Sequence, residues 1–149
     1  MLLQVWRDCR GPTGNETISR PPGGGLARAI RVHSSASALK GGLRPTLHSD
    51  WNVIAIGPLR MVENAVTRTM HHGGDVLNPA EKAPVEAALR MVTADAAWQC
   101  RQDFTGVIMA GKAADLVILD KDPTRVDPST IRDIAVRETW LNGERRFQA

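Results

Sequence analysis

The stretch Thr46-Leu47-His48-Ser49-Asp50 leaves this chain few options. A short apolar run climbs to a single acid, and an amphipathic helix follows. Pro45 would be awkward inside a strand, so the strand starts at Thr46. Pro58 suits the first position of the helix, where its missing N–H costs nothing. Leu59, Val62, Ala65, Val66, Thr69 and Met70 recur at helical spacing and give one apolar face. Gly73-Gly74 ends that helix. In a barrel of alternating strands and helices, catalytic groups project from the C-terminal ends of strands. Asp50 would stand at such an end, and it is the first candidate for chemistry.

The flanking segments extend this pattern. Ala38 to Gly42 reads as a helix end with a glycine stop. Pro84 opens a second helix, with Glu86 in its first turn where the helix dipole favours an acid. Val85, Leu89 and Val92, with Ala88 and Ala96, form its expected buried face. Thr93 is expected to cap a short continuation through Trp98. After Asp103 the period changes. Val107-Ile108-Met109 and Leu116 to Leu119 are apolar runs that read as a hairpin with a longer loop. Pro128 to Ile131 could make one helical turn. Val136 to Leu141 and Arg145 to Phe147 flank Asn142-Gly143, a pair that accepts the positive φ values of a type I′ turn. The tail is therefore expected to be a β unit of about four strands.

Charge divides the chain unevenly. The total is net +3 over 149 residues. Residues 1–49 carry seven basic groups against two acids, and the rest carries twelve against fourteen. The basic character belongs to the N-terminal third. There, Gly11-Pro12 and Pro21-Pro22-Gly23-Gly24-Gly25 are breakers, and no helical or strand period is sustained. Residues 1–37 read as a poorly structured basic arm. It lacks the aromatic interleaving and the modules that nucleic-acid binding uses, which argues against such a partner. Cys9 and Cys100 have no CxxC or metal-ligand spacing, so reduced thiols are expected. No apolar run approaches membrane-span length. The start is too short and too soon charged for a signal peptide, which makes the cytoplasm the expected compartment.

From about Gly42 to its end the chain resembles the C-terminal part of the amidohydrolase superfamily. The nearest branch is amidohydrolase family 3, with its YtcJ-like proteins and formamide deformylases. Leu47-His48-Ser49-Asp50 looks like the family's eighth barrel strand ending in its acid. Pro58 to Val62 and Ala65 to Arg68 look like the helix after it. Glu86 to Arg90 and Thr93 to Gln99 look like the helices leading out of the barrel. Gly106 to Asp120 is similar to the return to a β-sandwich, and Thr139-Trp140 to Arg145 to its closing hairpin. The likeness is collinear over about 105 residues.

The resemblance implies an α/β fold: the C-terminal fragment of a (β/α)8 barrel, with its last strand and helices over 38–103, and part of a small β-sandwich over 104–149. It implies a divalent metal, zinc by expectation, in the complete enzyme. The family's other ligands come from an HxH pair and from histidines on the middle strands. This chain has no HxH, and its histidines are His33, His48, His71 and His72. By the resemblance, Asp50 would bind the metal and pass a proton from an activated water to the departing nitrogen. Taken alone it could equally be a helix cap or an exposed loop acid, because one carboxylate cannot hold zinc.

His48 precedes Asp50 by two and would point the same way on a strand. It could contact substrate, or be a half-buried residue at the rim. The adjacent pair His71-His72 would diverge on a helix and suits a solvated helix end. Lys112 follows Gly111 but lacks the hydroxyl residue of a phosphate loop, so a structural turn is expected. Asp115 and Asp120 are expected to satisfy turn backbone groups. The tryptophans read as packing.

Two functions follow. One is a metal-dependent hydrolase of non-peptide carbon–nitrogen bonds in amides or formamides, present here as a fragment inactive alone. Its partners would be a small-molecule amide, no membrane, and either self-association or a partner that supplies the barrel. The other is a non-catalytic truncated or partner-associating module. A lone barrel strand would also leave the helices opening at Pro58 and Pro84 with unburied apolar faces.

Overall fold

The structure, a computed structural model, describes residues 33–49, 55–70 and 74–149 and the backbone of residues 2–4. Strand β1 (Leu2–Gln4) and strand β2 (Thr46–His48) pair in parallel, with Leu2 opposite Thr46 and Gln4 opposite His48. Parallel strands need a crossover, and helix α1 (Ser35–Lys40) lies within it. Three residues of the segment expected to be an unstructured arm thus form a strand. So short a strand cannot display a period. Gly42, at φ 72°, follows α1 as the expected glycine stop.

Helix α2 (Pro58–Thr67) starts at proline as expected but ends three residues before Met70. Arg68 turns left-handed at φ 54° while its amide still bonds the Asn64 carbonyl. Thr69 then bridges to Val76 in an antiparallel contact, so Thr69 and Met70 are not on the helical face. A 3-10 helix (Pro79–Glu81) leads to helix α3 (Val85–Val92) and helix α4 (Ala94–Gln99). Thr93 separates the last two without capping through its side chain. Its hydroxyl instead donates back to the Leu89 carbonyl at 2.8 Å.

The core is small and aliphatic. Leu47 of β2, Val62, Ala65 and Val66 of α2, Ala83, and Ala88 and Met91 of α3 pack with Ile131. The apolar faces of α2 and α3, expected to be bare, are therefore buried against each other and against β2. Met91, absent from the expected face, is fully buried, whereas Val85, Leu89 and Val92 pack only partly.

The tail holds three strands rather than about four. Strands β3 (Leu116–Leu119), β4 (Val136–Leu141) and β5 (Glu144–Gln148) form an antiparallel sheet in that order. Asn142 and Gly143 both take positive φ at the β4–β5 turn, as the dipeptide predicts. Val107-Ile108-Met109 is not a strand, and Ile108 is 90% exposed. The expected hairpin fails because β3 pairs with β4 instead. The loop also closes on itself, as the Ala113 amide donates to the Phe104 carbonyl at 2.8 Å. Gly106 seats this loop on α4. It has φ 82°, and a Cβ there would lie 2.5 Å from that of Ala97.

A second 3-10 helix (Pro128–Asp133) joins the sheet to the helices, where a turn from Pro128 was expected. Asp127 caps it by accepting from the Ser129 amide at 2.8 Å. Ile131 enters the core, and the next residue, Arg132, meets the buried Glu63 of α2. Both its amide (2.8 Å) and its Nε (2.6 Å) donate to that carboxylate. Removing one partner of a buried pair strands the other charge. Because Arg132 itself is partly exposed, Arg132→Met is expected to destabilise the fold by about 2–3 kcal/mol. Urea unfolding followed by circular dichroism measures this. An unchanged midpoint would show that the pair is dispensable.

Candidate functional site

Strand β2 is only three residues long, and its direction decides which end can carry chemistry. Its amino end is anchored structurally. Thr46 donates to the Gln99 side chain at 2.5 Å, and Arg44 bonds the buried Asp95 at 2.9 Å while stacking 4.7 Å from the Trp98 ring. Thr46, Gln99, Arg44 and Asp95 thus have partners inside the fold. Trp98 is thus not core, but lies under an arginine at the surface.

The carboxyl end is the candidate site. His48 is half-buried there, and Ser49 beside it is buried. Asp50 lies outside the described residues, as do His71 and His72.

A residue passed over in the sequence joins this end. His33, just before α1, is half-buried and left-handed at φ 56°. Its carbonyl accepts from the Ser35 amide at 2.8 Å and from Arg68 Nη1 at 2.6 Å. Arg68 is 1% exposed and also donates Nε to the Leu77 carbonyl at 2.6 Å. Burial lowers the pKa of this guanidinium, and the charge of Glu81 opposes the shift. Glu81 shows the reverse balance. Burial raises its pKa, but the Ser37 hydroxyl and amide, with Arg68 and Lys40, hold it below the usual value. The His33 imidazole is pushed down to about 4, first by burial and then by the charges of Arg68 and His48. No sequence signal marks this cluster, because its members come from four separate segments.

The remaining candidates are structural. The Lys112 amine holds the Asp103 carbonyl, as a turn residue would. Asp115 accepts from the Asn142 amide at 2.8 Å, which is the expected backbone role. Asp120 instead pairs with Arg137 at 2.6 Å. Among the described residues, no group of three or more His, Cys, Asp or Glu side chains could hold a metal ion. The described donors therefore do not fit a catalytic metal. Among the same residues, no helix is long and apolar enough to cross a membrane.

The comparisons with known proteins agree with this architecture. The profile of the amidohydrolase family matches residues 17–147, so the chain belongs to that family. The match begins within the segment read from composition as an arm. The chain is 34% identical over 120 residues to an N-substituted formamide deformylase of Arthrobacter pascens, covering 80% of this chain and 22% of that protein. It is 29% identical over 99 residues to the putative amidohydrolase YtcJ of Bacillus subtilis strain 168, covering 64% of this chain and 19% of that protein. The chain thus spans about a fifth of the length of these curated relatives. In fold it is similar to a metal-dependent hydrolase of Pyrococcus horikoshii OT3. That likeness has a TM-score of 0.59 at 22% identity, over 70% of this chain and 22% of the other.

The depressed His33 pKa has a consequence for stability. The unfolded histidine, with an ordinary pKa of 6.5, binds a proton more readily than the folded one at about 4. Stability from this group is complete above pH 6.5 and is lost as pH falls toward 4. Glu81, depressed as well, adds a loss in the acid range. Thermal melts between pH 7 and 4 are expected to show a falling midpoint, shallower in His33→Asn. A midpoint that rises on acidification would contradict the assignment.

Proposed function

We propose that this chain is the C-terminal portion of a metal-dependent hydrolase that cleaves non-peptide carbon–nitrogen bonds of amides or formamides. It supplies the last barrel strand (β2) with the helices after it, and part of a β-sandwich. The observation that carries this reading is the 34% identity to the formamide deformylase over most of this chain but only 22% of that protein. Asp50 is the acid of the site. A carboxylate at the end of β2 can accept a proton from the attacking water and return it to the departing nitrogen. In the complete enzyme Asp50 would be one ligand of a divalent metal, with zinc the expected ion. His48 would contact the substrate beside it. Other parts of the polypeptide must furnish the remaining ligands, so the chain alone is expected to be inactive.

A second reading, a partner-associating module without hydrolase activity, is favoured by the lack of a metal-holding cluster among the described residues. The two readings separate in a chimera. Residues 42–149 would replace the matching segment of the Arthrobacter pascens deformylase. The hydrolase reading expects turnover of an N-substituted formamide and stoichiometric metal. It further expects Asp50→Asn to lower kcat by about 10²–10⁴-fold, as loss of a positioned acid–base group does. Full activity in the Asp50→Asn chimera would sink the proposed role.

A further inference from the structure

We infer that strand β3 pairs with β3 of a second copy of this chain, antiparallel about a twofold axis at Ile118, so that two three-stranded sheets join into one. This concerns the sheet and does not depend on the hydrolase reading. Three observations carry it.

The first is an open edge. β3 lies at one side of the order β3-β4-β5, and among the described residues no strand pairs with its other side. Leu116–Leu119 is apolar throughout, without a charge or a proline to discourage pairing. Val117 is 54% and Ile118 46% exposed. Such an edge is a template for another strand. The sheet's opposite edge, β5, carries Glu144, Arg145 and Arg146, charges of the kind that guard an edge.

The second is the direction of the backbone groups. The Asp120 amide donates inward to the Ala135 carbonyl at 2.9 Å, and the Ala114 carbonyl accepts from the Gly143 amide at 3.0 Å. Directions alternate along an antiparallel strand, so the even-numbered residues face β4. Val117 and Leu119 therefore aim their N–H and C=O groups at the open edge. Two copies of this edge bond only where outward residues stand opposite one another. That puts the twofold axis on a residue, never between two.

The third is charge. With the axis on Ile118, Asp115 stands opposite Lys121 of the second copy, and Lys121 opposite Asp115. Between these ends, Val117 stands opposite Leu119, and each such pair exchanges two N–H···O=C bonds. Moving the axis to Val117 sets Asp115 against Leu119. Moving it to Leu119 sets Asp115 against Pro123 and Lys121 against Val117. Only the Ile118 axis matches opposite charges, and symmetry does so at both ends. It also sets Leu116 against Asp120, but Arg137 already holds that acid at 2.6 Å. One oxygen of Asp115 accepts from the Asn142 amide at 2.8 Å, which leaves the other for the lysine. This self-complementarity selects a second copy over an unrelated strand.

Sedimentation velocity on the full 149-residue chain, across a dilution series, tests this. The particle is expected to pass from 16.2 kDa to twice that mass, with a dissociation constant in the micromolar range, as a small interface gives. Val117→Pro removes an outward N–H that β4 does not use, and is expected to leave a monomer. Lys121→Glu sets like charges at both ends and is expected to weaken the dimer about tenfold. Ile108→Ser, in the exposed loop, is expected to dimerise like the parent. Amide hydrogen exchange at Val117 and Leu119 is expected to slow only as the dimer forms. Should Val117→Pro fail to fold, Lys121→Glu and the exchange pattern decide. A monomer at about 1 mM overturns the inference. So does a dimer that Lys121→Glu leaves intact, or one that Ile108→Ser disperses. Val117 and Leu119 amides already protected in the monomer overturn it too, because the edge would then be covered from within the chain.

Discussion

The carboxylate of Glu63 is the constraint on which the rest of the fold depends. It is buried in α2, and a buried charge is tolerated only when paired and hydrogen-bonded. Arg132 meets this demand with its amide and its guanidinium together. The pair fixes the second 3-10 helix against α2, and that places Ile131, fully buried, in the same core as Val62 and Met91. Only Ile134 and Ala135 separate this helix from β4. One ion pair thus sets how the sheet follows from the helices. It contributes specificity of arrangement more than net energy, since desolvation offsets much of the attraction.

Arg68 plays the corresponding part at the other end of α2. Its left-handed backbone ends the helix, and its side chain turns inward to two carbonyls. A guanidinium suits this work, because its fork of donors can serve several acceptors from different segments. Through it, the end of α2, the turn at Leu77 and the entry to α1 become one rigid corner. The site proposed at the end of β2 would be built against that corner.

What could be read from residues, and what could not, divides along sequence distance. Pro58, Gly42 and Asn142-Gly143 act on their own neighbours, and each marked its element correctly. The family relationship was also legible, because the run from Gly106 to Asp120 is dense in characteristic residues. Glu63 was not legible as a buried acid, because its partner lies 69 residues away. Helical spacing sets it beside Leu59 and Val66, at the edge of the apolar face, but carries no sign of a partner. The end of α2 was misplaced for the same reason: Arg68 looks like one more exposed helix residue until Leu77 and His33 surround it. At the candidate site, strand β2 could be found from pattern. His33 could not, since nothing local distinguishes it from the polar stretch that follows.

The distribution of exposed apolar surface bears on how this chain works. The helices satisfy one another, contrary to the expectation that they would be bare. Besides Trp98 of α4, many of the large apolar residues left in solvent lie outside the helices, among them Phe104, Ile108 and Met109 in the loop and Val117, Ile118 and Phe147 in the sheet. An isolated three-stranded sheet with exposed apolar residues is a poor stopping point for folding, and so is a two-stranded parallel pair. Parallel strands are ordinarily buried on both faces and flanked by further strands. Among the described residues neither sheet has a further strand, which fits the proposal that this chain is part of a longer polypeptide. The small core of α2, α3 and Ile131 lets this portion hold its shape and keep the end of β2 in order. On the proposed function, further segments of a longer polypeptide would close the walls around that end, exclude water and bring the other ligands that a catalytic metal requires.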